Sequence, residues 1–221
     1  MESRVRIGLD FDNTLACYDG LFFRLALERG LIDQRLPRRK RAVRDHLRKT
    51  GREAIWTALQ GVAYGERLLE APPFPGVLPF LETCRRRGWE VCIISHKTRT
   101  PACGSEVNLQ HAASTWLEHY GLLDRERTGI GAEHVWFEPS RPDKGRRIAA
   151  EGCTHFVDDL LEFLREPCFP KNVVRIHFDP STNVKSAPDI LLAGKWSQVE
   201  RLIEESVTPM TGTRREQIES V

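Results

Sequence analysis

The chain has 221 residues, 40% hydrophobic and 29% charged, which is enough to bury a core and is not the composition of a disordered chain. Its 33 Lys and Arg residues nearly balance 31 Asp and Glu residues, for a net charge of +2. Bulk charge therefore favours neither a nucleic acid nor a membrane as partner. No apolar run approaches the roughly 18 residues of a membrane span, and we expect no signal peptide.

The six cysteines contain no pair at the Cys-x-x-Cys spacing. Several lie in apolar runs such as EVCIIS at 90–95, where a reduced thiol serves as a small core side chain. We therefore expect a cytoplasmic protein, with no disulfide, zinc site or organic cofactor.

The chain begins with a short apolar run at 5–11 that is typical of a buried parallel strand. Four further runs of strand length follow, at 89–95, 134–139, 154–159 and 172–179. Segments with helical spacing separate them, at 75–88, 109–121 and 143–152. This alternation predicts an α/β fold in which helices pack against a parallel sheet.

The segment between the first two strands has a different pattern. No strand is expected from 17 to 74, where three helical pieces follow one another with breaks at Gly30, Pro37, Gly51 and Gly61. We interpret 17–74 as a small helical insert, closed by the sequence APPFPG.

The remaining residues are assigned to a core and a tail. The core comprises 1–16 and 75–206, and the polar sequence at 207–221 is expected to be a loose tail or a short surface helix.

The first strand runs directly into two acids, Asp10 and Asp12. Residues two apart on a strand point to the same side, so these carboxylates would repel each other unless a cation or a proton lay between them. The pair therefore predicts a site that holds a metal ion or a proton.

Polar residues also follow the other predicted strands. Ser95 ends the second strand, Lys144 begins the helix after the third, and Asp158 and Asp159 end the fourth. Ligands of open α/β sheets bind beyond the carboxyl ends of the strands. These residues are thus expected to form one site for a metal ion and an anion.

Taken in chain order, these residues resemble the four motifs of the haloacid dehalogenase superfamily: Asp-x-Asp-x-Thr, a Ser after the second strand, a Lys before a helix, and Asp-Asp. One such motif is weak by itself, whereas four in order are a strong signal. The resemblance covers about 5–180. It implies a Rossmann-like three-layer core with a parallel sheet, and the insert lies where many members carry a cap domain.

The resemblance also implies roles for individual residues. Asp10 would be the nucleophile that forms an aspartyl-phosphate. Asp12 would protonate the leaving oxygen and then deprotonate the attacking water. Ser95 and Lys144 would hold the phosphoryl oxygens, with Thr14 alongside.

A magnesium ion completes the expected site. Its ligands would be Asp10, the backbone carbonyl of Asp12, and Asp158 with Asp159 beside it, since Mg²⁺ prefers oxygen ligands. The ion would relieve the repulsion between the acids and let an anionic nucleophile approach a phosphate.

The residue two positions after the nucleophile separates reactions within the superfamily. Dehalogenases lack an acid there, whereas phosphatases and phosphomutases keep it, so Asp12 indicates phosphoryl transfer. We expect a phosphatase that acts on a small phosphorylated molecule. A phosphomutase, a polynucleotide phosphatase that uses the basic run at 37–49, and a non-catalytic phosphate-binding module stay open. The sequence gives no expectation for the oligomeric state.

Four further residues are candidates for contact with a substrate. His96 and Lys97 follow Ser95 directly, although the position favours an ordinary loop. Trp56 and Tyr64 could stack on a substrate ring, but their helical spacing favours the core of the insert.

Overall fold

The computed structural model describes residues 4–102, 106–181 and 189–207. Its centre is a six-stranded sheet in the order β3-β2-β1-β4-β5-β6, and all five strand pairs are parallel. The strands are β1 Arg6–Leu9, β2 Glu90–His96, β3 Val135–Glu138, β4 His155–Asp158, β5 Val174–Phe178 and β6 Leu191–Ala193. The predicted α/β fold with a parallel sheet is confirmed.

Helices cover both faces of the sheet. In the described ranges they are α1 Asp19–Glu28, α2 Lys40–Lys49, α3 Glu53–Tyr64, α4 Val77–Arg86, α5 Leu109–His119, α6 Arg125–Thr128, α7 Arg141–Ala150, α8 Leu161–Leu164 and α9 Trp196–Val207. Side chains of β2 alternate between two apolar clusters: Ile93 belongs to one, and Cys92 and Ile94 to the other. This alternation is what a strand buried on both faces requires.

The five predicted strands are all present, whereas β6 and α9 were not predicted. β6 has only three residues at the edge of the sheet, too short a run for its hydrophobic pattern to be recognised. The predicted break at Gly61 is wrong, because α3 continues through this residue to Tyr64. Gly61 is buried, so tertiary packing outweighs its unfavourable helix propensity of about 1 kcal/mol.

The predicted insert at 17–74 contains α1, α2 and α3. Its apolar side chains join the same cluster as the sheet, and Trp56 is buried against Phe22, with ring centroids 4.8 Å apart. Trp56 therefore belongs to the hydrophobic core, as its spacing predicts. The division into core and cap stays a prediction, as does the tail, of which 208–221 lie outside the described residues.

The structure also gives the state of the cysteines and the character of the helices. The five cysteines in the described ranges have free thiols, while Cys103 lies outside those ranges. Over the same ranges, no helix combines the length and the apolar character needed to cross a bilayer. The cytoplasmic location stays a prediction.

Candidate active site

The carboxyl ends of β1, β2 and β4 meet at one edge of the sheet, where they border a cavity of about 200 Å³. Asp10, Ser95, Asp158 and Asp159 line this active-site cavity together with Lys144 from the first turn of α7. The structure thus brings together the acids, the hydroxyl and the ammonium group that the sequence places on separate elements.

A tight turn after β1 orients the first two acids. The backbone N–H groups of Leu15 and Ala16 both donate to the carbonyl of Phe11, at 3.0 Å each. Asn13 adopts a positive φ of 58°, a conformation that asparagine tolerates better than most residues. The turn leaves Asp10 and Asp12 on the wall of the same cavity.

Asp10 is held by two donors. Ser95 Oγ donates to Asp10 Oδ1 at 2.9 Å, and Lys144 Nζ donates to the same oxygen at 2.6 Å. Lys144 also contacts Asp158 Oδ2 at 2.6 Å. Burial would lower the pKa of Lys144, but the charges of Asp10 and Asp158 raise it overall, so the ammonium group stays charged.

Asp158 and Asp159 lie beside Asp10. One carboxylate oxygen from each of these three acids lies within 4.8 Å of the other two. Burial, followed by repulsion from the neighbouring carboxylates, raises the pKa of Asp159 well above its usual range. Burial also raises the pKa of Asp158, although Lys144 opposes the shift. Ionisation of all three acids would place more negative charge here than Lys144 can balance.

This cluster fits a magnesium ion. Hard oxygen donors close to one another are the ligands that Mg²⁺ takes, and a cation here would offset the burial and mutual repulsion that raise the pKa of Asp158 and Asp159. Asp10, Asp158 and Asp159 would supply the side-chain ligands. The carboxylate of Asp12 is not part of this cluster, which leaves its backbone carbonyl as the predicted ligand.

Asp12 is instead bound by Lys97 and Tyr18, contacts that the sequence did not predict. Lys97 Nζ lies 3.0 Å from Oδ1 and 2.9 Å from Oδ2, and the Tyr18 hydroxyl donates to Oδ1 at 2.5 Å. Burial would raise the pKa of Asp12, but Lys97 and Tyr18 outweigh it and hold this pKa below the usual range. Asp12 is therefore a charged carboxylate in this structure.

Thr14 has a different position from the other predicted phosphate-binding residues. It is fully buried, and its Oγ1 accepts a hydrogen bond at 3.1 Å from the backbone N–H of Asp159. The residue joins the turn after β1 to the end of β4. Its predicted contact with a phosphate stays a prediction.

Of three cationic side chains at or beside the cavity, Lys40 and Arg141 were not predicted, and Lys97 was named only as a candidate for contact with a substrate. Lys97 was favoured as an ordinary loop residue, yet it is buried on Asp12. Lys40 and Arg141 line the cavity. Arg141 lies next to the helix start that carries Lys144, whereas nothing in the local pattern distinguishes Lys40 from the other basic residues around it.

Comparisons with known proteins support the fold. Neither a family sequence model nor a curated protein matches this sequence. Among solved structures, a conserved haloacid dehalogenase-like protein of unknown function from Agrobacterium tumefaciens is similar with a TM-score of 0.56 at 15% identity, over 93% of this chain and all (100%) of that chain.

Two further structures give the same result. A haloacid dehalogenase superfamily hydrolase from Ehrlichia chaffeensis has a TM-score of 0.53 at 15% identity, over 94% of this chain and 100% of that chain. A protein described as a dehalogenase has a TM-score of 0.50 at 15% identity, over 91% of this chain and 98% of that chain. The chain therefore has the fold of the haloacid dehalogenase superfamily, as its four motifs predict.

Proposed function

We propose that the protein is a magnesium-dependent phosphatase of the haloacid dehalogenase superfamily, which hydrolyses a small phosphomonoester through an aspartyl-phosphate on Asp10. The observation that carries this proposal is the environment of Asp10. Its carboxylate borders the cavity and is held by Ser95 and Lys144, with Asp158 and Asp159 alongside. This arrangement combines a fixed nucleophile, two donors for phosphoryl oxygens and a set of ligands for a cation.

In the first half of the reaction, a carboxylate oxygen of Asp10 forms a bond to phosphorus while the ester P–O bond breaks. The electron pair of that bond goes to the leaving oxygen, which needs a proton to leave as an alcohol. Ser95 and Lys144 donate hydrogen bonds to the phosphoryl oxygens and stabilise their negative charge. When bound, the magnesium ion reduces the repulsion between the carboxylate and the phosphate.

Asp12 is the group that we expect to supply this proton. It is charged in this structure, but a phosphate dianion beside it would favour the protonated carboxyl group. The proton then goes from Asp12 to the leaving oxygen. In the second half of the reaction, the resulting carboxylate takes a proton from water, which attacks phosphorus, breaks its bond to Asp10 and releases inorganic phosphate.

Asp12 also favours phosphoryl transfer over dehalogenation, since dehalogenases of the superfamily lack an acid two positions after the nucleophile. The basic residues of α2 offer less support for a polynucleotide substrate. Arg41 and Arg44 both pair with Asp45, and Arg48 pairs with Glu53. These partners leave α2 with less free positive charge than its sequence suggests.

The test is release of inorganic phosphate from a generic aryl phosphate and from sugar, nucleotide and other small phosphates, with magnesium or with chelator. Asp10→Asn removes the nucleophile and keeps the size of the side chain. Asp33→Asn is the matched control, because Asp33 is exposed on the insert. Magnesium-dependent turnover that Asp10→Asn abolishes and Asp33→Asn retains is the expected result.

Three outcomes would count against the proposal. Turnover that persists in Asp10→Asn would exclude the aspartyl-phosphate route. No phosphate release from any compound, by a folded protein that binds magnesium, would favour a phosphomutase or a binding module. Activity restricted to polynucleotides and lost steeply with salt would instead indicate a polynucleotide phosphatase.

A further inference from the structure

Lys40 extends from the insert to the active-site cavity. It is the first residue of α2, where its backbone N–H donates to Asp19 Oδ1 at 2.8 Å. Its Nζ lies 5.6 Å from the ring centroid of Tyr18, 5.7 Å from that of Phe22 and 5.3 Å from that of Tyr64. Both ends of this residue are thus fixed, the main chain by a carboxylate and the ammonium group by three aromatic rings.

The aromatic rings themselves are firmly placed. Tyr18 packs edge-on against Phe22 and Tyr64, with ring centroids 6.1 and 5.0 Å apart, and Phe22 contacts Tyr64 in the same way. Tyr18 and Phe22 are fully buried. A cation held against such rings is already in place before a ligand binds, so little side-chain entropy remains to be lost on binding.

The other cations around the cavity form ion pairs with carboxylates of the protein. Lys144 contacts Asp10 and Asp158, Lys97 contacts Asp12, and Arg141 contacts Glu166 at 2.6 Å. In the described part of the chain, no carboxylate lies within 4.0 Å of Lys40 Nζ. Lys40 therefore keeps room for an anion that comes from outside the protein.

The charge on Lys40 is secure. Burial would lower its pKa, but Tyr64 and the more distant carboxylates of Asp159 and Asp12 raise it overall. Lys40 thus carries an ammonium group at neutral pH.

We infer that Lys40 is a specificity-determining residue that binds a second anionic group on the substrate, on the side of the leaving group. This inference rests on the proposed phosphatase function. The transferred phosphoryl group belongs with Asp10, Ser95 and Lys144 on the core, whereas Lys40 reaches the cavity from the insert. The substrate is therefore a compact phosphomonoester whose leaving group ends in a carboxylate or a second phosphate.

The size of the cavity supports a compact substrate. At about 200 Å³, it is below the range of about 300 to 1,000 Å³ that is usual for pockets of drug-sized ligands. A short chain with an anion at each end fits this space.

Three phosphate esters with the same three-carbon chain provide the test. They are propyl phosphate, the phosphate ester of the corresponding terminal hydroxy acid, and the bisphosphate of the terminal diol. Only the far end differs, being a methyl group, a carboxylate and a phosphate. Steady-state kcat and KM are measured for each compound with magnesium present.

Lys40→Met is the test variant, because it keeps an unbranched side chain among the three rings and removes the charge. Lys40→Arg restores a cation. Lys49→Met is the matched control, since Lys49 is exposed at the last position of the same helix. Thermal unfolding of each variant verifies that it is folded.

We expect the wild-type protein to prefer the two esters with an anionic end over propyl phosphate. In Lys40→Met this preference should fall about tenfold to hundredfold, as expected for the loss of a charge-assisted hydrogen bond. The change should lie mainly in KM, Lys40→Arg should recover part of it, and Lys49→Met should retain it. Comparison of the two anionic esters identifies whether carboxylate or phosphate is bound.

Several results would overturn the inference. One is a wild-type protein that hydrolyses all three esters equally well. Another is an equal loss of kcat/KM on all three esters in Lys40→Met, which would mean that Lys40 balances the charge of the acidic cluster. Failure of the phosphatase proposal is recognised separately, because the wild-type protein would then release no phosphate from any ester.

Discussion

Lys97 contacts both carboxylate oxygens of Asp12, at 3.0 and 2.9 Å, and only 2% of its side chain is exposed. The ring of Phe11 lies under the same ammonium group, with its centroid 5.2 Å from Nζ. Lys97 therefore fixes the orientation of Asp12, which is the residue we expect to exchange protons with the substrate. An acid that is held in one rotamer loses less entropy when it reaches the transition state.

We expect Lys97→Met to lower kcat at least tenfold, because Asp12 loses the cation that orients it. The variant should also lose about 3 kcal/mol of unfolding free energy, since it leaves a largely buried carboxylate without its partner. Tyr18→Phe should have a smaller effect, about 2 kcal/mol, because Lys97 still neutralises Asp12. Steady-state kinetics and urea denaturation measure the two effects.

Lys171→Met is the control for Lys97→Met, since Lys171 is exposed and should change neither quantity. Wild-type kcat in Lys97→Met would mean that Lys97 does not position Asp12. Adding Asp12→Asn completes a double-mutant cycle. An interaction energy near zero in that cycle would contradict the buried ion pair.

The positions of the acids could be predicted because they depend on local patterns. Asp10, Asp12, Asp158 and Asp159 follow runs of strand length, and parallel strands bring their carboxyl ends to one edge of the sheet. Lys144 could be placed for the same reason, since Ser140 and the following proline begin its helix. Thus the core half of the site follows from alternating strands and helices.

Tyr18 and Lys40 could not be predicted in this way, whereas Lys97 is a candidate because it follows Ser95 at the end of β2. Tyr18 and Lys40 belong to the segment at 17–74, and their approach to Asp12 and to the cavity depends on how α1, α2 and α3 pack. A helical period shows which face of a helix is buried, but not which neighbour it meets. The sixth strand of the sheet could not be predicted either, because β6 is too short to show a hydrophobic period.

The predicted magnesium site leads to two effects of opposite sign in Asp159→Asn. Burial and the charges of Asp158 and Asp10 raise the pKa of Asp159, so in the folded state this acid costs stability at neutral pH. Without metal, Asp159→Asn should therefore be more stable than the wild type at neutral pH. With magnesium, the wild type should gain a Tm increase that the variant largely lacks.

Thermal unfolding with magnesium and with chelator measures both effects. Asp33→Asn, on the exposed surface of the insert, should respond to magnesium as the wild type does. An equal magnesium-dependent rise of Tm in Asp159→Asn would exclude Asp159 as a ligand.

Gly8 in the middle of β1 leaves space for an aromatic ring of β4. A Cβ at this position would lie 2.4 Å from Phe156 Cδ2 and 3.0 Å from Cys153 Sγ. We expect Gly8→Ala to destabilise the protein by about 1 to 3 kcal/mol, because the surrounding core must shift. Urea denaturation gives the change in unfolding free energy.

Gly20→Ala provides a contrast to Gly8→Ala. Gly20 lies in α1, where a Cβ would come no closer than 3.6 Å to Arg24 Nη1. The same added methyl group should stabilise the protein there by up to about 1 kcal/mol through helix propensity. Equal effects of the two substitutions would contradict the tight packing at Gly8.

His155 should make the protein less stable in weak acid. It is buried at the start of β4, between Thr154 Oγ1 at 2.8 Å from Nδ1 and Ser206 Oγ at 2.7 Å from Nε2. Burial lowers the pKa of His155 to about 4, so the folded state favours the neutral ring. The unfolded state, with a pKa of about 6.5, binds a proton first as the pH falls.

The sign of the pH effect follows from this difference. The contribution of His155 to the free energy of unfolding is constant above a pH of about 6.5. It is lost progressively between pH values of about 6.5 and 4, and the total loss is about 3 kcal/mol. Asp158 and Asp159 act in the opposite direction, because their raised pKa values make folding take up protons in acid. The net slope of the wild type therefore does not isolate His155, whereas comparison with a variant does.

His155→Gln cannot gain a proton and should lose less stability than the wild type between neutral pH and pH of about 4.5. At neutral pH it should be less stable, because glutamine does not replace both hydrogen bonds of the ring. His111→Gln, at an exposed position of α5, should keep the wild-type pH dependence. Urea denaturation across this pH range would contradict the assignment if His155→Gln and the wild type lost stability in parallel, because another group would then cause the acid sensitivity.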